Sequence, residues 1–203
     1  MKTVLIASNN AHKAVEIAEA LDFPGWEFKT LKQAGVHSDP VEDAETFLGN
    51  ARIKAQAAQQ ASGGMAVLAD DSGLEVDALD GAPGVHSARY AGEPCDDAAN
   101  NAKLLDSLAD VEDDRRTARF VCHLVYLDEQ GREHDARGTV EGRIAHEAQG
   151  ANGFGYDPLF LSEEKNRTFA ELTDKEKNGI SHRGKAMRAF CGVFADIMKG
   201  ISC

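Results

Sequence analysis

In the run Leu68-Ala69-Asp70-Asp71-Ser72-Gly73-Leu74, two carboxylates follow an apolar segment and a glycine comes just after them. Carboxylates in such a place can hold a hard metal ion or activate a water molecule. Successive side chains of a strand point to opposite faces, so Asp70 and Asp71 share one site only if the strand has ended. Otherwise one of them serves the metal or the water, and the other caps or orients a turn at Ser72-Gly73. The plain alternative is a pair of solvated acids before a turn glycine. Position favours chemistry, because strands of α/β folds deliver ligand residues at their carboxyl ends.

Four other stretches carry reactive types. Ser8-Asn9-Asn10-Ala11-His12-Lys13 closes an apolar run and opens a helical one. Free amide groups at a helix N-terminus favour anions, and Lys13 adds a full positive charge. Capping by a Ser or Asn explains the same residues without a ligand, and the glycines of a P-loop are missing. Glu42 and Asp43 precede a long helix, either as a second source of oxygen ligands or as acids favoured by the helix dipole. Gly153-Phe154-Gly155-Tyr156-Asp157 sets aromatic rings among glycines, which suits either a flat ligand or a turn with core aromatics. In Ser181-His182-Arg183-Gly184 the serine can cap the last helix, leaving two cationic types in its first turn, where they oppose the dipole. That local conflict is a hint of function rather than of stability.

The elements that must position these groups alternate in type. Strand patterns cover 3–8, 25–31, 65–70, 74–79 and 116–128, the last being the longest expected strand; 131–148 reads as a hairpin or two strands turning at a glycine, and 150–161 as a Gly-rich loop running into a strand. Helical patterns cover 9–22, with Val15, Ala18 and Leu21 on one face, 46–61, 96–110 and 182–199, where Met187, Phe190, Phe194 and Ile197 form a core stripe. Interleaved helices and strands with an embedded hairpin imply an α/β class with a mixed sheet, organised as one compact unit.

Charge narrows the partners. The chain has 203 residues, and 22 basic against 34 acidic ones give a net charge of −12, which disfavours nucleic acid and anionic membranes as main partners. Cys95, Cys122, Cys191 and Cys203 show no CxxC or zinc spacing and read as reduced thiols. The N-terminal apolar run is too short for a signal or a span, and the expected location is cytoplasmic.

Taken in order, "ASNNAHK", "TFLGNARIKA", "ADDSGLEVDALDGAPGVHSARYAG", "GFGYDP" and "ELTDKEKNGISHRGKA" resemble the inosine triphosphate pyrophosphatase family over nearly the whole chain. The resemblance implies one domain spanning 1–203, an elongated mixed sheet flanked by helices, in two lobes with a central active-site cleft. It also implies a homodimer that, with Mg²⁺, hydrolyses deaminated purine nucleoside triphosphates such as dITP, ITP and XTP. By motif, Ser8, Asn9, Asn10, Ala11, His12 and Lys13 match the phosphate-binding segment. Asp71 matches the general base and metal ligand, Ser72 a substrate contact and Glu42 a further metal ligand. Phe154, Gly155, Tyr156, Asp157, Lys177, His182 and Arg183 would surround the base. Asp70 becomes a supporting residue. Gly49 departs from the pattern: many relatives carry Glu there, and its loss weakens the metal site or leaves room for a water. Two other classes compete with this reading, a purine sensor that binds without cleaving and a nucleic-acid enzyme.

Overall fold

The alternation of apolar runs and helical stripes becomes seven strands and six α-helices in the computed structural model, which describes residues 1–21 and 23–200, without the side chains at 11, 12, 15, 19, 20 and 196–200. In chain order these are β1 (Lys2–Ala7), α1 (Ala11–Ala20), β2 (Trp26–Thr30), α2 (Leu31–Ala34), α3 (Phe47–Ala61), β3 (Ala66–Val76) and α4 (Asp97–Ser107). There follow β4 (Thr117–Leu127), β5 (Glu133–Ile144), β6 (Phe160–Ser162), β7 (Arg167–Thr168), α5 (Asp174–Ile180) and α6 (His182–Gly200). The strands form one sheet in the order β2-β1-β3-β4-β5-β6-β7. Its β2-β1-β3 edge is parallel and its β5-β6-β7 edge antiparallel, so the sheet is mixed, as expected. No helix among the described residues is long and apolar enough to cross a membrane.

The chain divides into two compact units. The first comprises residues 1–71, 122–137 and 186–203, and the second 72–121 and 138–185. In the first, alternate residues of β1 and β3 face opposite ways, as the period of a strand requires. Val4, Ile6, Ala66 and Leu68 pack with Ala14, Ile17, Met187, Phe190 and Phe194, whereas Leu5, Ala7, Val67 and Ala69 pack with Ala51, Ala55 and Ala58 of α3. The expected stripe of α6 is thus buried at Met187, Phe190 and Phe194, while the side chains of Ile197 and Val15 lie outside the described residues. In the second unit Phe120, Phe160 and Phe169 meet at ring separations of 4.6–5.8 Å, amid Leu74, Val76, Leu104 and Leu159. Each such side chain contributes about 1.5–3 kcal/mol by leaving water.

Two local expectations fail, each for a visible reason, and one helix forms where none was expected. No turn follows Asp71: β3 runs on through Ser72 and Gly73 to Val76, because Leu74 and Val76 enter the second core and the Leu74 amide donates to Ser87 Oγ at 2.9 Å. The segment 131–148 holds one strand, β5, which with 12 residues is longer than β4 with 11; the turn precedes it, where the Asp128 carboxylate accepts from the amides of Gln130 and Arg132. The charged run 174–180 is a helix, α5, started by a capping box between Thr173 and Glu176. Cys95, Cys122 and Cys191 are free thiols, and Cys203 lies outside the described residues.

Candidate functional site

The strand alternation that sorts the first unit's core also parts the two carboxylates. Asp70 continues the series facing α1 and meets Lys13, with Nζ 3.4 Å from Oδ2. Asp71 continues the series facing α3, where Lys54 Nζ lies 2.8 Å from its Oδ1. The same ammonium is 3.1 Å from Glu42 Oε2, so Glu42 and Asp71 converge on a single cationic point. Both aspartates are buried. Burial pulls the Lys54 pKa down, but Asp71, Asp70 and Glu42 outweigh it, and the pKa stands above the ordinary lysine value.

Lys54 is the functional candidate that sequence reasoning passed over. Its signal was present: Asn50, Ala51, Ala55 and Ala58 are buried on α3, and Lys54 falls on the same stripe by spacing. A lysine on the buried stripe of an Ala-rich helix is a conflict that needs a partner. Asn50 ties the preceding loop to the helix by accepting from the Ala44 amide at 3.0 Å, which helps hold Glu42 in place. Gly49 has a steric cause here, since a Cβ at that position would stand 2.6 Å from the Ala44 methyl carbon.

The segment before α1 is built by caps. Asn10 is the N-cap of α1, its side chain accepting from the Lys13 amide at 3.1 Å. Ser8 Oγ accepts from the Asn10 amide at 3.3 Å, and Asn9 Nδ2 donates to Ser38 O and Asp39 Oδ1, both at 3.1 Å. The side chains of Ala11 and His12 lie outside the described residues.

In the second unit two of the expected base-binding residues, Lys177 and Arg183, lie over one ring. Phe154 is half-buried, with Lys177 Nζ 4.7 Å and the Arg183 guanidinium carbon 5.8 Å from its centroid. Asp157 Oδ2 accepts from Lys177 Nζ at 2.7 Å and from the Phe154 amide at 2.9 Å. Gly153 is required there, because a Cβ would lie 2.1 Å from that same Asp157 oxygen. Tyr156 turns inward instead, its hydroxyl donating to Ser87 O at 2.8 Å in the core; burial pushes its pKa well above the tyrosine range. Ser181 receives the Gly184 amide at 3.1 Å, as a cap of α6 should. His182 then stacks on Phe120 at 4.7 Å, and Arg183 Nη2 donates to Ser72 Oγ at 3.0 Å. Ser72 directly follows Asp71 in the chain.

In the first unit the residues described can hold a polyanion and a hard cation; those of the second can hold a polar ring. Among the described residues no three His, Cys, Asp or Glu side chains cluster to hold a metal by themselves. Two carboxylates converging on one point nonetheless fit Mg²⁺, which commonly takes one or two protein carboxylates and completes its shell with phosphate oxygens and water.

A model of the Ham1 family matches residues 4–193. The dITP/XTP pyrophosphatase of Desulforamulus reducens is 53% identical over 188 residues, covering 93% of this chain and 92% of that protein. That of Clostridium perfringens is 46% identical and covers 99% of each. The solved structure of a HAM1 protein from Coxiella burnetii superposes with a TM-score of 0.88 at 40% identity, over 97% of this chain and 100% of that one. The nucleoside-triphosphatase, or dITP/XTP pyrophosphatase, of Mycobacterium abscessus gives 0.77 at 43% identity, over 93% and 98% of the two chains. This chain belongs to the Ham1 family.

Proposed function

We infer that the chain is a nucleoside triphosphate pyrophosphatase that converts dITP, ITP and XTP to the monophosphate and pyrophosphate. The observation that carries the chemistry is the convergence of Glu42 and Asp71 on one cationic point, with Lys13 paired to the neighbouring Asp70. Lys13 and the amides that open α1 bind triphosphate oxygens. Lys54 engages Asp71 Oδ1, which leaves Oδ2 to orient a water and take its proton as the water attacks the α-phosphorus. The bond to the β-phosphate bridging oxygen breaks and pyrophosphate leaves. Glu42 and Asp71 are the residues that would hold Mg²⁺, which when bound neutralises the triphosphate and polarises its oxygens.

Base selection falls to the second unit. Hypoxanthine and xanthine carry a keto oxygen where adenine carries an amino group. Lys177 and Arg183 are donors only, so they can meet a keto oxygen but cannot accept from the adenine amino group. A site built to bond a group can reject the analogue lacking it by roughly 10⁴–10⁵-fold. His182 and Phe154 supply the ring faces of this region, and Ser72, Gly155, Tyr156 and Asp157 complete it. A homodimer, and action in the cytoplasm on the free nucleotide pool, belong to the same reading.

A pyrophosphate-release panel over ITP, XTP, dITP, GTP and ATP with Mg²⁺ tests it. Release from the first three, little from ATP and loss of activity on chelation are expected. Orthophosphate as the sole phosphate product, or saturable ITP binding without product, would overturn it.

A further inference from the structure

Helix α4 stands apart from the residues assigned so far, yet it grips the loop that carries Phe154. Gly155 adopts φ +60°, a left-handed conformation that glycine enters without strain. Both of its backbone polar groups go to α4. Its amide donates to Asp97 Oδ2 at 2.8 Å, and its carbonyl accepts from Asn101 Nδ2 at 2.9 Å. Asp97 and Asn101 are four residues apart, so they lie on one helix face, one turn from each other. On its other side the loop is held by Asp157, through the Phe154 amide.

The helix itself is firmly seated. Leu104 is fully buried in the second core, and Asn100, also buried, accepts from the Ala91 amide at 2.7 Å and donates to Ala88 O at 3.0 Å. Asn101 Oδ1 is buried with no hydrogen-bond partner among the described residues. A buried carbonyl without a donor is unfavourable, so the bond its amide nitrogen makes to Gly155 is the contribution that accounts for the residue. Asp97, by contrast, is an exposed acid in the first turn of α4, where the dipole alone would favour it. Its Oδ2 is nevertheless directed at Gly155.

We propose that Asp97 and Asn101 are positioning residues for base selection: they clasp Gly155 and thereby fix the Phe154 ring against Lys177 and Arg183. Neither touches the base. Their effect passes through the two peptide planes that flank Gly155, Asp97 holding the one shared with Phe154 and Asn101 the one shared with Tyr156. The proposal rests on the base-binding reading of that loop.

The test compares wild type with Asp97→Ala, Asn101→Ala, the double variant and Asp97→Asn. It measures kcat and KM for ITP and ATP, ITP affinity by calorimetry, and amide hydrogen exchange of residues 153–157. A single hydrogen bond of this kind is worth about five-fold in an equilibrium. The double variant should therefore raise KM and the dissociation constant for ITP by roughly ten-fold or more. Its kcat should stay within about two-fold, and its preference for ITP over ATP should fall, because the donors that meet the keto oxygen lose their register. Asp97→Asn keeps an acceptor and should recover most of the Asp97→Ala loss. Faster exchange at Gly155 with wild-type affinity and preference would overturn the proposal. So would an equal loss for both nucleotides carried by kcat, which marks a general structural effect. If wild type binds ITP without cleaving it, the assigned reaction fails, and the dissociation constants still judge the clasp. If it binds no ITP, both fall.

Discussion

Replacing Lys54 by Met keeps a long side chain on α3 but removes the ammonium between Glu42 and Asp71. Opposite charges about 4 Å apart attract by about 4 kcal/mol at an effective dielectric near 20, before the cost of burying them. Removing one partner of a buried pair leaves the other uncompensated and costs about 3–5 kcal/mol. The Glu42 carboxylate, with 32% of its side chain exposed, is partly solvated and adds little, whereas that of Asp71, at 10%, has less access to water. A net loss of about 3 kcal/mol is expected, or a fall in Tm of roughly 6–12 °C for a chain of this size. The pH dependence has a definite sign. The folded Lys54 pKa is raised, so its contribution is complete below the ordinary value of 10.5 and disappears as pH rises through the folded value. Wild type should lose this increment in strong alkali and Lys54→Met should not. Divalent cation should then stabilise the variant more than wild type, since two carboxylates are left facing one point without a charge. Thermal unfolding with and without Mg²⁺, across pH, reads all three effects. A variant with wild-type Tm and no greater response to Mg²⁺ would refute the reasoning.

Three further perturbations follow from the geometry. Gly49→Ala should destabilise by about 1–3 kcal/mol in denaturant unfolding, because its methyl meets Ala44 at 2.6 Å, although alanine normally favours a helix; Ala44→Gly in the same chain should reverse the loss. Asp71→Asn should lower kcat by about 10²–10⁴-fold with the fold retained. Asp70→Asn, whose carboxylate pairs with Lys13 on the opposite face, should be milder; equal losses in steady-state assays would show that the strand does not divide the two roles.

The α/β class and the mixed sheet were legible because alternating apolar runs and 3.6-residue stripes are direct consequences of burial. So was the separation of Asp70 from Asp71, which follows from strand period alone and reappears as one lysine for each acid. The turn at Ser72-Gly73 was misread because a glycine after two acids looks like punctuation. What carries β3 onward is the second core around Leu74 and Val76, a tertiary effect invisible in that stretch. Helix α5 was missed because its charges suggest a solvated turn, whereas Lys177 is buried through its pairing with Asp157, twenty residues away. The clasp of Gly155 by α4 joins residues more than fifty positions apart, and no local pattern announces it.

The most direct test of the central claim is hydrolysis of ITP with Mg²⁺ in ¹⁸O-enriched water, with products followed by ³¹P NMR and mass spectrometry. Attack on the α-phosphorus by a water held at Asp71 predicts labelled inosine monophosphate and unlabelled pyrophosphate. Label in the pyrophosphate, release of orthophosphate with a nucleoside diphosphate, or binding without any product would contradict the account.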